Sequence, residues 1–146
     1  MVIEWNCRFG DPETQAVLLR MEDDLVPWLL GAAEGRLPAE GPRFRADTSV
    51  CVVLAAEGYP GPVRTGDPIA GLGTDGQLPG GEGVVVFHAG SKRPAGDFVS
   101  AGGRVLGVAA LGTDLGAARA TAYAGVARIS FPGMHFRRDI GLRKRS

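Results

Sequence analysis

Charge of one sign is missing from this chain. Its 146 residues include 16 basic and 16 acidic side chains, a formal net charge of zero. No global field therefore favours nucleic acid or an anionic membrane. The basic stretch at 142–146 (LRKRS) has no aromatic residue interleaved with it and reads as a solvated tail rather than a nucleic-acid patch. Cysteine is scarce as well. Cys7 and Cys51 are the only two, with no C-x-x-C and no even set at framework spacing, which excludes a disulfide scaffold and leaves reduced, structural thiols. No run of 18 apolar residues and no signal peptide is found, so a cytoplasmic protein is expected. Internal repeats are absent too. What remains is an ordinary globular composition, 45% apolar and 22% charged. That length suits one compact domain, or part of a larger domain followed by a small one.

Residues 2–9 alternate, with Ile3, Trp5, Cys7 and Phe9 on one face of an extended strand and Glu4, Asn6 and Arg8 on the other. GDPE then breaks the strand. Asp11 is expected to cap a helix with Pro12 at its first position, and Glu13 suits the positive end of the helix dipole. TQAVLLRM continues that helix, with Val17, Leu18 and Met21 on one side. A second helix is expected at about 24–35, capped by Asp23 or Asp24, with Pro27 in its first turn. Leu25, Trp28, Leu29 and Ala32 would form its buried stripe, and Gly35 and Pro38 mark its end.

Residues 38–47 read as a connector, and the style changes after them. TSVCVVLAAE is β-branched and apolar, hence a buried strand. GYPGPVRTGDP is dense in turn residues. Further strands are expected at 84–90, at 97–111 with a turn at Gly102–Gly103, and at 135–141. One helix, about 113–129, shows Leu115, Ala118, Ala122, Val126 and Ile129 at helical spacing. The expected fold class is α+β: a strand and two helices, then a small, mainly antiparallel β domain over 48–141 with one covering helix. GLGTDG at 71–76 fits G-x-G-x-x-G, but loop-like residues flank it on both sides, so it reads as a flexible surface loop rather than a dinucleotide fingerprint.

Glu4 and Asn6 project from one strand face about 7 Å apart. Both offer hard oxygen atoms, which Mg²⁺ takes together with phosphate oxygens and water. Arg8 continues the row, and its planar fork suits a phosphate or a carboxylate gaining charge. The spacing alone fits a wet strand face better than a site, because structural charge pairs also make such rows.

Larger motifs change the balance. VIEWNCRFGDPETQAVLLRMEDDL resembles the last segment of the ATP-grasp domain in the phosphoribosylamine–glycine ligase (glycinamide ribonucleotide synthetase) family. AAEGYPG, RTGDPI, VFHAGSK, GGRVLGVAALG and FRRDIG follow in the family's order, so the resemblance covers nearly the whole chain. It implies that residues 1–37 end an ATP-grasp domain, 38–47 link, and 48–141 form the family's C-terminal β-rich domain. It also implies an ATP-dependent ligase of purine biosynthesis joining glycine to phosphoribosylamine through a glycyl phosphate. Glu4 and Asn6 would hold Mg²⁺ or Mn²⁺ on the ATP phosphates, and Arg8 would serve as the catalytic cation near the acyl phosphate.

Asp11, Glu13, His88 and Lys92 would lie near substrate under the same resemblance. For each a structural reading stands beside that one: a helix start for Glu13, a structural histidine for His88, a solvated loop lysine for Lys92. Ser91 replaces the threonine usual in the HAGTK-type motif but keeps the hydroxyl. The family's N-terminal domain and most of its ATP-grasp domain have no counterpart here. The expectation is a C-terminal portion, inactive alone. The alternative is a non-enzymatic module that docks on a separately encoded N-terminal portion.

Overall fold

The structure, a computed structural model, describes residues 7–142. Helix α1 spans Glu13–Arg20 and α2 Leu25–Ala33; β1 (Thr48–Ala55), β2 (Val84–His88), β3 (Ser91–Lys92), β4 (Val99–Ser100), β5 (Arg104–Gly112) and α3 (Leu115–Val126) follow. The class is α+β, as expected.

The apolar run of β1 and the VLGVAAL run of β5 pair antiparallel, and β2 adds to the far side of β5, giving the order β1-β5-β2. The register sets Val50 opposite Ala110, Val52 opposite Val108 and Leu54 opposite Leu106. Strand alternation puts these six on one face, and α3 covers that face with Ala118, Ala122 and Val126. Small helix residues let the helix lie close: a Cβ on Gly125 would meet the Val84 and Val108 side chains within about 3 Å. Asp114 caps α3, its Oδ1 accepting from the Ala117 N–H at 2.8 Å. The expected helix over 113–129 is this one, shorter at both ends, and Ile129 is buried just beyond it.

Helix α1 lies over the other sheet face, against β1 and β5, and the Ser49 hydroxyl donates to the Ala16 carbonyl at 2.7 Å. Its start differs from expectation. Pro12 occupies the cap position and no side chain caps the helix. Asp11 does not cap because it is held by other partners, described below. Asp24 does cap α2, accepting from the Val26 N–H at 2.9 Å, and Pro27 sits in the first turn where its missing N–H costs nothing.

Helix α2 belongs to an arm closed at its base. Arg45 N–H donates to the Arg20 carbonyl at 2.8 Å and Glu22 N–H to the Arg43 carbonyl at 3.0 Å. The Arg43 guanidinium adds two bonds to Asp23 Oδ1, at 2.9 and 2.7 Å. The Arg43 backbone N–H, and then its guanidinium, hold the Asp23 carboxyl below the usual carboxylate range. The connector therefore folds back on residues 20–23 instead of running free. The stripe expected on α2 is not buried: no residue of the helix is, and Leu29 and Leu30 are 46% and 57% exposed. Of the expected stripe, Leu25 and Trp28 are half-buried, while Leu29 and Ala32 are exposed.

Three other expectations change. The stretch 97–111 is not one hairpin: β4 pairs with β3 in a separate ribbon, while β5 enters the main sheet. Residues 135–141 form no strand beyond a single bridge of His135 to Ala55. The following carbonyls are taken by side chains of α3, Arg137 O by the Tyr123 hydroxyl and Arg138 O by Arg119. The 71–76 loop is a loop but not a loose one, since the Arg93 guanidinium donates to the Thr74 carbonyl at 2.7 Å and His88 bonds the Gly76 carbonyl.

Candidate functional site

The strand expected over 2–9 lies mostly outside the described residues, and Glu4 and Asn6 with it. The described end of it, residues 7–9, is bent rather than extended, and Cys7, Arg8 and Phe9 are exposed. Arg8 Nη1 donates to the Phe9 carbonyl at 2.8 Å. Glu13 opens α1 and its carboxylate folds over Gly10, where a Cβ would meet Oε2 at 2.6 Å. Arg8 and Glu13 thus line one small cavity of about 240 Å³ with Gly10 and Thr14.

Asp11 turns the other way. Arg104, at the start of β5, donates from Nη1 to the Asp11 carbonyl at 2.8 Å and places Nη2 3.0 Å from Asp11 Oδ2. Gln15 donates to the second carboxylate oxygen at 3.1 Å. A planar guanidinium gripping both main chain and carboxylate fixes position as well as charge. Residues 10–12, just past the E-x-N-x-R row, are thereby latched to the β domain.

The Asp11–Arg104 pair borders a partly open, mainly apolar cavity of about 440 Å³. Pro12, Cys51, Tyr59, Arg104, His135 and Arg137 are among its walls. The GYPG loop forms one wall because two glycines make room for it. Gly58 has φ +92°, and a Cβ there would stand 2.0 Å from the Pro62 carbonyl oxygen. Gly103 leaves the space that the Tyr59 ring fills. Both cations at the rim are already paired, Arg104 with Asp11 and Arg137 with Asp139.

Cys51 forms part of the floor. Burial, and then the negative charge of Asp11, push its thiol up to about 11. It stays protonated at neutral pH and is neither a nucleophile nor a metal ligand there. Among the described residues no three His, Cys, Asp or Glu side chains gather to hold a metal. Glu4 and Asn6, the oxygen donors expected to hold a divalent cation, lie outside the described residues.

His88 has both ring nitrogens engaged. Nε2 lies 3.0 Å from the Gly76 carbonyl, which can only accept, so Nδ1 accepts from the Ser91 hydroxyl at 2.7 Å. Its ring rests 4.7 Å from that of Phe98. These contacts engage both ring nitrogens within the fold and hold the 71–76 loop. Lys92 is exposed on β3. Among the described residues, no bond or cavity joins His88 or Lys92 to Arg8, Asp11 or Glu13.

The cavity itself was not readable in the sequence. Its walls come from four separated segments, and only the alternation of β1, which turns Cys51 and Val53 away from the α3 face, gave a local sign of it.

The family model "Phosphoribosylglycinamide synthetase, C domain" matches residues 49–143. The phosphoribosylamine–glycine ligase of Caulobacter vibrioides is 50% identical over 144 residues, covering 97% of this chain and 33% of that protein. The enzyme of that name from Synechocystis is 51% identical over 141 residues, 96% of this chain and 33% of its own. The crystal structure of phosphoribosylamine–glycine ligase from Thermotoga maritima superposes with a TM-score of 0.78 at 33% identity, over 94% of this chain and 32% of that one. The chain spans about a third of the length of the curated relatives it matches.

Proposed function

The chain belongs to the phosphoribosylglycinamide synthetase C-domain family, and from that premise we propose that it acts as the C-terminal portion of a phosphoribosylamine–glycine ligase. In that reaction a glycine carboxylate oxygen attacks the γ-phosphorus of ATP and ADP leaves. The amine of phosphoribosylamine then attacks the acyl carbon, phosphate leaves with the bonding pair, and the amine loses a proton. The product is glycinamide ribonucleotide, a purine precursor.

The Asp11–Arg104 latch is the observation that carries this reading. It ties residues 10–12, which follow the E-x-N-x-R row in the sequence, to the start of β5 beside the 440 Å³ cavity. Glu4 and Asn6 would hold the Mg²⁺ or Mn²⁺ ion, which when bound neutralises phosphate charge and orients the phosphoryl group. Arg8 would steady the anionic acyl phosphate with the N–H donors that Phe9 does not use. Glu13, beside it, would orient Arg8. Lys92, exposed on β3, would be a candidate contact for an anionic substrate, and His88 holds the 71–76 loop. The ATP-grasp elements that enclose the nucleotide would come from the remaining two thirds of the relatives' chain. No helix of the described residues is long and apolar enough to cross a membrane, and the reading places the protein in the cytoplasm.

Alone, the chain should show no ATP hydrolysis above background, because one carboxylate, one amide and one arginine do not enclose a nucleotide. Mixed with the separately made N-terminal portion of the Caulobacter enzyme, it should give ADP release that requires both glycine and phosphoribosylamine and is lost in Glu4→Ala. No release with both parts folded would count against the assignment. A second reading, a non-enzymatic docking module, is favoured by one observation only, the uncovered apolar face of α2.

A further inference from the structure

The large apolar side chains exposed to solvent are not spread evenly. Among the described residues, Phe9, Val17, Val26, Leu29, Leu30, Leu37 and Phe44 all precede β1, and only Tyr59 and Leu142 follow it. Every buried residue of the core cluster, by contrast, lies between Val50 and Phe131. The α2 arm concentrates this surface: Val26, Leu30 and Leu37 are each more than half exposed, and the helix makes at most marginal contact with any other element. The arm is not a collapsed tail either, because the Arg20–Arg45 and Glu22–Arg43 backbone pairs and the Asp23–Arg43 ion pair close its base. A held helix presenting an uncharged apolar face has the form of a docking surface.

We propose that this face of the arm, built from Val26, Leu29 and Leu30 of α2 and from Leu37 beyond its end, is the seat for the N-terminal two thirds of a phosphoribosylamine–glycine ligase chain. The inference rests on the proposed function and names the partner's contact surface. Two observations select this occupant over a second copy of the chain. The family's C-domain model begins at residue 49, just after the arm, whereas the Caulobacter match runs over 97% of the chain and therefore includes the arm. The arm is thus part of the relatives' own chain but lies outside their C domain. In those relatives the matched region is a third of the protein, so the other two thirds is present in the same molecule, at the high local concentration a covalent link provides.

The test mixes the chain with the N-terminal portion of the Caulobacter enzyme and follows sedimentation. A one-to-one complex is expected, and the double variant Leu29→Asp, Leu30→Asp should weaken it by at least about a hundredfold. The melting of the β domain should not move, since neither leucine belongs to its core. Equal binding by both forms would overturn the seat. So would a homodimer of the chain that the double variant abolishes, because the face would then belong to a second copy. Should the N-terminal portion not stay folded by itself, a covalent chimera carrying this whole chain after it answers the same question. Trypsin cleavage after the exposed Arg36 should slow at least about tenfold in the chimera, and an unchanged rate would overturn the seat. The two proposals separate cleanly. A complex without ADP release sinks the ligase reading and keeps the seat. ADP release undiminished in the double variant sinks the seat and keeps the ligase reading.

Discussion

Strand β1 and helix α2 are both almost wholly apolar, yet they meet opposite fates. Val52 and Leu54 of β1 have no exposed surface, while Val26 and Leu30 of α2 are 66% and 57% exposed. The strand finds its cover within the chain, on one side as β5 and on its face as α3. The helix has caps, a proline in the right turn and a clean stop at Gly35, with φ +67°, but its Val26, Leu29 and Leu30 side stays exposed. Apolar patterning therefore says where a buried face must be, not which polypeptide buries it. In a chain about a third the length of its relatives, the second question is the functional one.

Substitution in the core should mark the difference most strongly. Leu54→Ala or Leu106→Ala removes a side chain at most 1% exposed and should cost about 2–5 kcal/mol, whereas Leu30→Ala in the arm should stay within about 0.5 kcal/mol. Equilibrium denaturation measures both, and similar costs would dissolve the contrast. Next comes Gly58→Ala, which forces a left-handed backbone and a clash with the Pro62 carbonyl. It should cost more than about 2 kcal/mol and distort the cavity wall formed by Tyr59.

The latch lies on the border between the two regions. Arg104 is about one-third exposed, so solvent screening limits the loss in Arg104→Met to about 1 kcal/mol or less. Its sharper effect should be faster amide exchange over residues 10–15 with β5 unchanged, which mass spectrometry of exchanged peptides can read. Unaltered exchange there would mean that the two regions are held together by something else.

The last expected effect is confined to alkaline pH and vanishes near neutrality. Cys51 keeps its proton in the folded state up to about 11, against 9.0 for a free thiol. Between those values the unfolded chain gives up the proton and the folded chain does not, so stability falls as pH rises from about 9 to about 11. Below 9 this contribution is fully present. Cys51→Ala should flatten that stretch of the stability profile, and at pH 8 exposed Cys7 should react with iodoacetamide well before Cys51.

Much of the β domain was legible because its signals are local. The β-branched run of β1, the VVVF of β2 and the i, i+4 spacing of Ala118, Ala122 and Val126 each point to one structure. HFRRDIG misled because nothing within it shows that Arg119 and Tyr123, 14 to 21 residues earlier, claim the carbonyls a strand would pair. Asp11 misled for a similar reason: a good capping residue by type, it is bound instead by Arg104, 93 positions away. The candidate site was legible only in part. Arg8 and Glu13 share a cavity, Asp11 supports from the side, and Glu4 and Asn6 lie outside the described residues. Nothing in the spacing of any one motif could show that the cavity beside Arg104 is walled by four distant segments.

Native-state hydrogen exchange on the whole isolated chain tests the contrast most directly. A self-sufficient β domain beside an uncovered arm predicts that amides of β1, β5 and α3 exchange only through global unfolding, while those of α2 exchange many times faster by local opening. Protection of α2 equal to that of β5 in the isolated chain would contradict it.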